Sequence, residues 1–476
     1  MDKQQQVAQT KFAQLGFFIL PLPKGSEFGF DGRLFAVDSF SGVKFLPPGL
    51  HFFVFSAAPS ASQTAHLPEA VSSGVGVRHG ILRYYKQGDV VVEEWDNARE
   101  ELKRPAGETS RKRRRTLDAA GKGDAKQETV VSDEYLKSLD KSLAPYPQEE
   151  IAEQWAGLTG FITEKTVVRV VGVDAQGCAL VDALMGSTMD DQASGPDGSS
   201  GRRTWGKVRE DEPEVRELVE EDEEAAGPAL LEFVKYDEKR SWPKGATGEE
   251  LSKWSKDKSW QLSEVVQNQL KDDPKELLAE FQLAFILFSL LHNFSSLTAY
   301  RSLFSLICRS TSLAHPLSTR PTSTPLPSPT LSSASLPIFA SFLSALTAQI
   351  DFLESTFFST QLPALESHLL DSLTVLSQAL SDALPAWVAL GEKDPAIAGV
   401  WKEVVKRWDG LAALSMEKYG WDLGVIKGSR AQYTAPQGRS QREEDEIDLE
   451  DLEEGEDAPV IIDDEGLYIS SATDDY

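Results

Sequence analysis

The stretch Pro274–Leu291 (PKELLAEFQLAFILFSLL) limits what this chain can fold into more than any other. Proline suits the first turn of a helix, where its missing N–H costs nothing. The residues after it are apolar almost all round rather than along one stripe. Such a helix is central and must be covered by others. Phe294–Arg309 reads as a second helix, and the patterns over Leu336–Phe358, Leu362–Leu384 and Val400–Tyr419 predict three more. Five or so helices make an all-α unit over 230–425. Within it, 310–335 is rich in Ser and Thr and has prolines at 316, 321, 325, 327 and 329. That proline density predicts a long loop without helix, replaceable by a short linker.

The first part of the chain has another period. Gly16–Leu22, Lys44–Leu46 and Leu50–Ser56 read as strands, and Pro47-Pro48-Gly49 is turn chemistry. Gly80–Tyr85, Lys86–Asp89 and Val90–Trp95 have the form of a hairpin. Short strands in this space predict a sandwich or small barrel rather than a parallel sheet. Tyr135, Leu136, Leu139 and Leu143 follow helical spacing, ended by Pro145-Tyr146-Pro147. Ile151, Trp155, Leu158, Phe161 and Ile162 mark a second amphipathic helix. The predicted fold class is α+β with two domains. A β-sandwich-like N-terminal domain covers 10–172, with a disordered basic loop at 103–130. An acidic disordered linker (186–229) leads to the all-α domain, and an acidic disordered tail (428–476) follows it.

Charge narrows the function classes. The chain has 48 basic and 75 acidic residues, a net charge of −27. That balance suits neither bulk nucleic-acid binding nor an anionic membrane surface. Ten acids fall between Glu210 and Glu224, and sixteen, with no Lys or Arg, in 443–476. Cys178 and Cys308, 130 positions apart, make neither a disulfide framework nor a structural zinc site. Leu15–Leu20 is short and followed by Pro21 and Pro23, so no signal peptide is expected. The most apolar later run, Phe281–Leu291, is shorter than the roughly 20 residues of a membrane span. A soluble intracellular protein is expected.

No P-loop, H-E-x-x-H, C-x-x-C or G-x-S-x-G motif is present. Gly74–Gly80 has the wrong spacing for a phosphate loop and precedes a strand pattern; a glycine turn is the better reading. His51, among aromatics in a strand, reads as structural, with no second titratable group at a fixed offset to complete a dyad. Trp242 and Trp254 lie near lysines, but their acidic surroundings favour packing over nucleic-acid contact. No catalytic, cofactor or metal site is expected.

Two segments invite sharper readings. Arg111, Lys112, Arg113, Arg114 and Arg115 have the composition of a nuclear-import signal or of a solvated loop. In the acidic tail, Val460, Ile461 and Ile462 are followed by Leu467, Tyr468 and Ile469. The residues alone leave two readings open: stray hydrophobes in an acid run, or a strand that adds to a partner's sheet edge. Thr473, before Asp474 and Asp475, suits an acid-directed phosphorylation whose charge reduces binding.

Pro23-Lys24-Gly25-Ser26-Glu27-Phe28-Gly29 with Asp31, then Gly42-Val43-Lys44, Pro47-Pro48-Gly49 and His51-Phe52, resemble the N-terminal signature of the AAR-two splicing factor family. Leu143 with Pro145-Tyr146-Pro147, Trp155, Leu158 and Thr159 is similar to it as well. So are Glu280, Gln282, Ala284-Phe285, Cys308-Arg309-Ser310 and Trp421-Asp422 in the helical half. The likeness covers roughly 12–172 and 230–424, plus the tail cluster at Ala458-Pro459-Val460; the segments 103–130, 186–227 and 310–335 look like insertions. The resemblance implies a non-enzymatic assembly factor of the U-five small nuclear ribonucleoprotein, found in nucleus and cytoplasm. Its implied partner is the scaffold protein Prp-eight, bound at the RNase H-like and Jab/MPN domains, with the tail bridging them by β-addition and helicase engagement delayed. The charge balance leads to an expectation of no direct contact with nucleic acid or membrane. The rival expectation is an enzyme with an active site between the β and α domains, which would leave a pocket with converging titratable groups.

Overall fold

The computed structural model describes residues 15–37, 41–57, 77–103, 136–188 and 230–426, apart from 98, 100, 137, 175, 238, 239, 244, 322–324 and 334. Its β part is built of β1 (Gly16–Ile19), β2 (Glu27–Phe30), β3 (Arg33–Ala36), β4 (Gly42–Leu46), β5 (Gly49–Ser56), β6 (His79–Tyr85), β7 (Val90–Val92), β8 (Trp95–Asp96), β9 (Glu101–Leu102), β10 (Leu143–Pro145) and β11 (Ala179–Asp182). One sheet has the order β10-β4-β1-β7 and the other β11-β6-β5-β2-β3; β8 and β9 form a separate ribbon. Phe18 and Phe53, one from each main sheet, stack with centroids 3.9 Å apart.

The expected hairpin over 80–95 is not one. β6 pairs with β5, whereas β7 runs parallel to β1 in the other sheet. The turn explains the change of partner. Asp89 accepts the Lys86 N–H on its carboxylate, and its carbonyl then accepts the Phe17 N–H at 2.8 Å, handing the chain to β1. Leu143, expected on a helix, lies in β10 and pairs in parallel with β4. It is buried with Leu136, Phe17 and Ile19 in a small second core, which outweighs the helical spacing. Pro145 has no N–H to donate, so it suits β10, an edge strand.

Two helices close the β part: α1 (Gln148–Thr159) and α2 (Glu164–Val170), the latter begun by a capping box between Thr163 and Thr166. The helical part then runs through α3 (Glu249–Lys256), α4 (Ser259–Gln269), α5 (Pro274–Leu291), α6 (Phe294–Cys308), α7 (Pro329–Ser333), α8 (Ser335–Phe352), α9 (Phe357–Thr360), α10 (Pro363–Gly391) and α11 (Pro395–Tyr419). As its pattern demanded, α5 is buried on nearly every side. α10 continues past its expected end at Leu384, through Pro385. α11 begins five residues earlier than expected, with Pro395 in its first turn and the Asp394 side chain accepting the Ala396 N–H.

The segment 310–335 departs most from expectation. It holds two single 3-10 turns (Thr311–Ala314 and Leu317–Thr319) and the short helix α7. Leu313, Ala314 and Leu331 are in the core. Proline density stops long helices, but several prolines here sit at turn and first-turn positions, where no N–H is needed. Asp257, buried, accepts from the Ser312 N–H and the Ser312 and Ser259 hydroxyls.

The β and helical parts share one apolar cluster that runs from Phe18 to Ile426. Three polar residues of α5, Glu276, Glu280 and Gln282, face the β part. Gln282 accepts the Phe161 N–H at 2.8 Å and donates to Gly157 O at 2.9 Å. Glu280 accepts from Arg169 and, at 2.8 Å, from the Val234 N–H; Glu276 accepts from Arg169 at 3.2 Å. Among the described residues α8 and α10 are long and apolar enough to cross a membrane. α8 is mostly buried and packs on α11, α5 and α1; α10 is less covered and packs on α6 and α11.

Candidate functional site

Three blocks of the N-terminal signature meet in one buried knot. Asp31 lies in the β2–β3 turn with φ 49°, followed by Gly32 at φ 87°. Successive positive φ values are those of a tight hairpin turn that Asp-Gly favours. A side chain at Gly32 would strike the ring of Phe352, so this position also lets the turn approach the end of α8. The Asp31 carboxylate accepts the Phe52 N–H at 2.8 Å and the Tyr146 hydroxyl at 2.8 Å, and lies 2.6 Å from His51 Nδ1. His51 Nε2 is 2.8 Å from Pro47 O, which only accepts, so this nitrogen carries a hydrogen. With a carboxylate at the other nitrogen, the geometry favours the imidazolium form. Burial acts to lower the His51 pKa, but the charge and hydrogen bond of Asp31, together with the bond to Pro47 O, outweigh it and raise it. Burial and Asp31 also raise the Tyr146 pKa.

No fixed sequence offset pairs His51 with Asp31, because a hairpin and sheet register bring them together. The three side chains are almost fully covered. The knot is therefore a clamp holding the β2–β3 hairpin, β5 and β10, and the structural reading of His51 stands. His51→Gln should lower stability by about 1–3 kcal/mol at pH 6, since it leaves a buried carboxylate short of a partner. A raised folded-state pKa gives stability that is complete below the ordinary histidine value, about 6.5. That stability is lost as pH rises through the raised value. Urea unfolding of both proteins at pH 6 and 9 should show the difference narrowing with pH; an equal difference would mean a neutral ring.

Beside the knot the sandwich opens. Phe28, Phe30, Phe35 and Val37 of the hairpin region line one wall of a groove of about 380 Å³. Pro145, Pro147 and Glu150 line the other. The groove thus lies between β3, the edge of one sheet, and β10, the edge of the other. Phe35 stacks on Phe30 at 5.4 Å yet is 48% exposed. An apolar groove with one carboxylate suits binding of an apolar side chain and offers no acid–base pair. The sequence signal for it was the Asp31-Gly32 dipeptide between Phe-Gly-Phe and Arg-Leu-Phe-Ala, a hairpin signature that the strand reading passed over.

The junction between the β and helical parts has converging titratable groups, Arg169, Glu276 and Glu280, but they are engaged with one another. Among the described residues no group of three or more His, Cys, Asp or Glu is placed to hold a metal ion. Both cysteines are buried and free, and burial pushes both thiols up. The basic run Arg111–Arg115, the tail residues Val460, Ile461, Ile462, Leu467, Tyr468 and Ile469, and Thr473 lie outside the described residues.

Comparison with known proteins decides the family. Residues 15–172 match the model of the AAR2 N-terminal domain, and residues 233–424 that of the AAR2 C-terminal repeat region. The chain belongs to the AAR2 family. It is 30% identical over 301 residues to the Protein AAR2 homolog of Macaca fascicularis, covering 61% of this chain and 68% of that one. Against the Homo sapiens AAR2 homolog the identity is 29% over 301 residues, with 61% and 68% covered. The Caenorhabditis elegans AAR2 homolog is 32% identical over 161 residues, 33% of this chain and 35% of that one. The AAR2 N-terminal match contains the whole knot and both walls of the groove.

Proposed function

We propose that this AAR2-family chain is a non-enzymatic pre-mRNA splicing factor, an assembly chaperone of the U-five small nuclear ribonucleoprotein. As a family member it is a splicing-related protein. The observation that carries the reading is the match of both folded parts to the family. In this reading it binds Prp-eight at the RNase H-like and Jab/MPN domains and delays helicase engagement. Val460, Ile461, Ile462, Leu467, Tyr468 and Ile469 add as strand to a partner edge. Arg111–Arg115 serve nuclear entry, so the protein works in both nucleus and cytoplasm, and phosphate on Thr473 weakens binding.

The physics of a tail suits a factor that must bind and later leave. A segment that orders on binding gives back roughly 2–5 kcal/mol of its contact energy, which keeps release accessible. The acids around the apolar cluster steer encounter and make the rate salt-dependent. Full-length protein immobilised in cell extract should retain Prp-eight, read by mass spectrometry, and a chain lacking 455–476 should retain much less. Prp-eight absent from both would refute the partner; equal retention would refute the role of the tail alone.

A further inference from the structure

The five-stranded sheet ends at β3, with no strand paired to its outer side among the described residues. Backbone direction alternates along it. Val37 donates its N–H to Ser26 O, and its carbonyl accepts the Gly25 N–H, so Val37 bonds inward. Phe35 and Arg33 share that direction, two and four residues back. The N–H and C=O of Leu34 and Ala36 therefore point outward, away from β2. Sheet edges are usually guarded by lysine, proline, a bulge or a covering loop. β3 instead exposes Leu34 by 43% and Phe35 by 48%. Its inner face adjoins the groove, so every second residue of an added strand would reach Phe30, Phe35 and Pro147, with Glu150 at the rim.

We infer that β3 is a docking edge for an extended segment of another protein, apolar at alternate positions and bearing a Lys or Arg that meets Glu150. Charge selects this occupant. Glu150 is exposed, and Glu149 and Glu153 beside it on α1 are exposed too. Arg33, the cation of β3, stands at the hairpin turn and does not line the groove. The last 34 residues of this chain hold sixteen acids and no Lys or Arg, so they would bring like charge to the rim. The inference rests on the open edge and does not depend on the reading of the tail.

The test uses the full-length chain and a displayed library of random twelve-residue peptides. Selected binders should alternate apolar residues and carry Lys or Arg. One synthetic binder should lose at least tenfold in affinity for Leu34→Pro, which removes an outward donor but no bond to β2. Glu150→Gln should weaken it several-fold and flatten its salt dependence. Backbone N-methylation of the peptide gives a readout that does not depend on the variant folding. Methyl groups on one alternate set of residues should abolish binding, and on the other set leave it. Failure to select any binder would overturn the inference. So would unchanged affinity in Leu34→Pro, indifference to the N-methylation pattern, or enrichment of acidic sequences. Competition by a synthetic 455–476 peptide, or a dimer that Leu34→Pro dissolves, would reassign the edge to this chain and overturn it equally.

Discussion

Arg169→Ala should lower the folding free energy by about 3–5 kcal/mol at neutral pH, the cost of leaving a buried charge unpaired. Arg169 is the guanidinium that meets both Glu276 and Glu280, and the Glu280 side chain is fully buried. Its carboxylate would keep only the Val234 N–H. Burial raises the Glu280 pKa even in the native protein, with Arg169 opposing the rise. Removing Arg169 should push it further. A carboxyl whose folded pKa is raised loses stability as pH rises from its unfolded value, about 4.3, to the raised one, and regains it as pH falls back through that window. The deficit of Arg169→Ala should therefore shrink between pH 8 and pH 5. Denaturant unfolding across that range is the check; a deficit that grows on acidification would mean that Glu280 is not the orphaned group.

Replacing 312–333 by a short Gly/Ser linker should leave the full chain insoluble or deeply destabilised. Leu313 and Leu331 are each 1% exposed. Truncating a buried leucine costs about 2–5 kcal/mol, and a typical fold is stable by only about 5–15. The replacement also strips Asp257 of its Ser312 donors, Asp272 of Ser328 and Thr330, and the Trp387 indole of its acceptor Ala314 O. Thermal unfolding and soluble yield read the outcome. A native-like melting temperature would restore the reading of this segment as a plain loop.

That segment shows what pattern cannot reveal. Composition reports that long helices are excluded; it does not report that Ser312 and Ser328 find buried acceptors far away in sequence. The central helix was legible because burial on all sides leaves a mark in every residue. Its exceptions were not: Glu276, Glu280 and Gln282 look like noise in an apolar run until Arg169, Val234 and Phe161 are placed against them. Strands were found where runs were apolar, but not their partners. β4 and β5 flank one Pro-Pro-Gly turn and go to different sheets, a choice made by contacts across the sandwich. The knot is the same lesson at a site. His51 was visible and Asp31 was visible, and only the β2–β3 hairpin brings them to 2.6 Å.

In the function proposed above, this chain acts by binding Prp-eight, with its tail as an added strand. Along such a strand Val460 and Ile462 share one face and Ile461 the other. Burying an aliphatic side chain contributes about 1.5–3 kcal/mol, and about 1.4 kcal/mol is a decade of affinity. The most direct measurement is calorimetric titration of the RNase H-like and Jab/MPN domains of Prp-eight with the full chain and with Ile462→Asp. Saturable binding of the native chain is expected, at least tenfold weaker in Ile462→Asp, with the melting temperature of the free protein unchanged. Equal affinities would reduce the tail to a solvating acid run, and absence of binding by the native chain would refute Prp-eight as the partner.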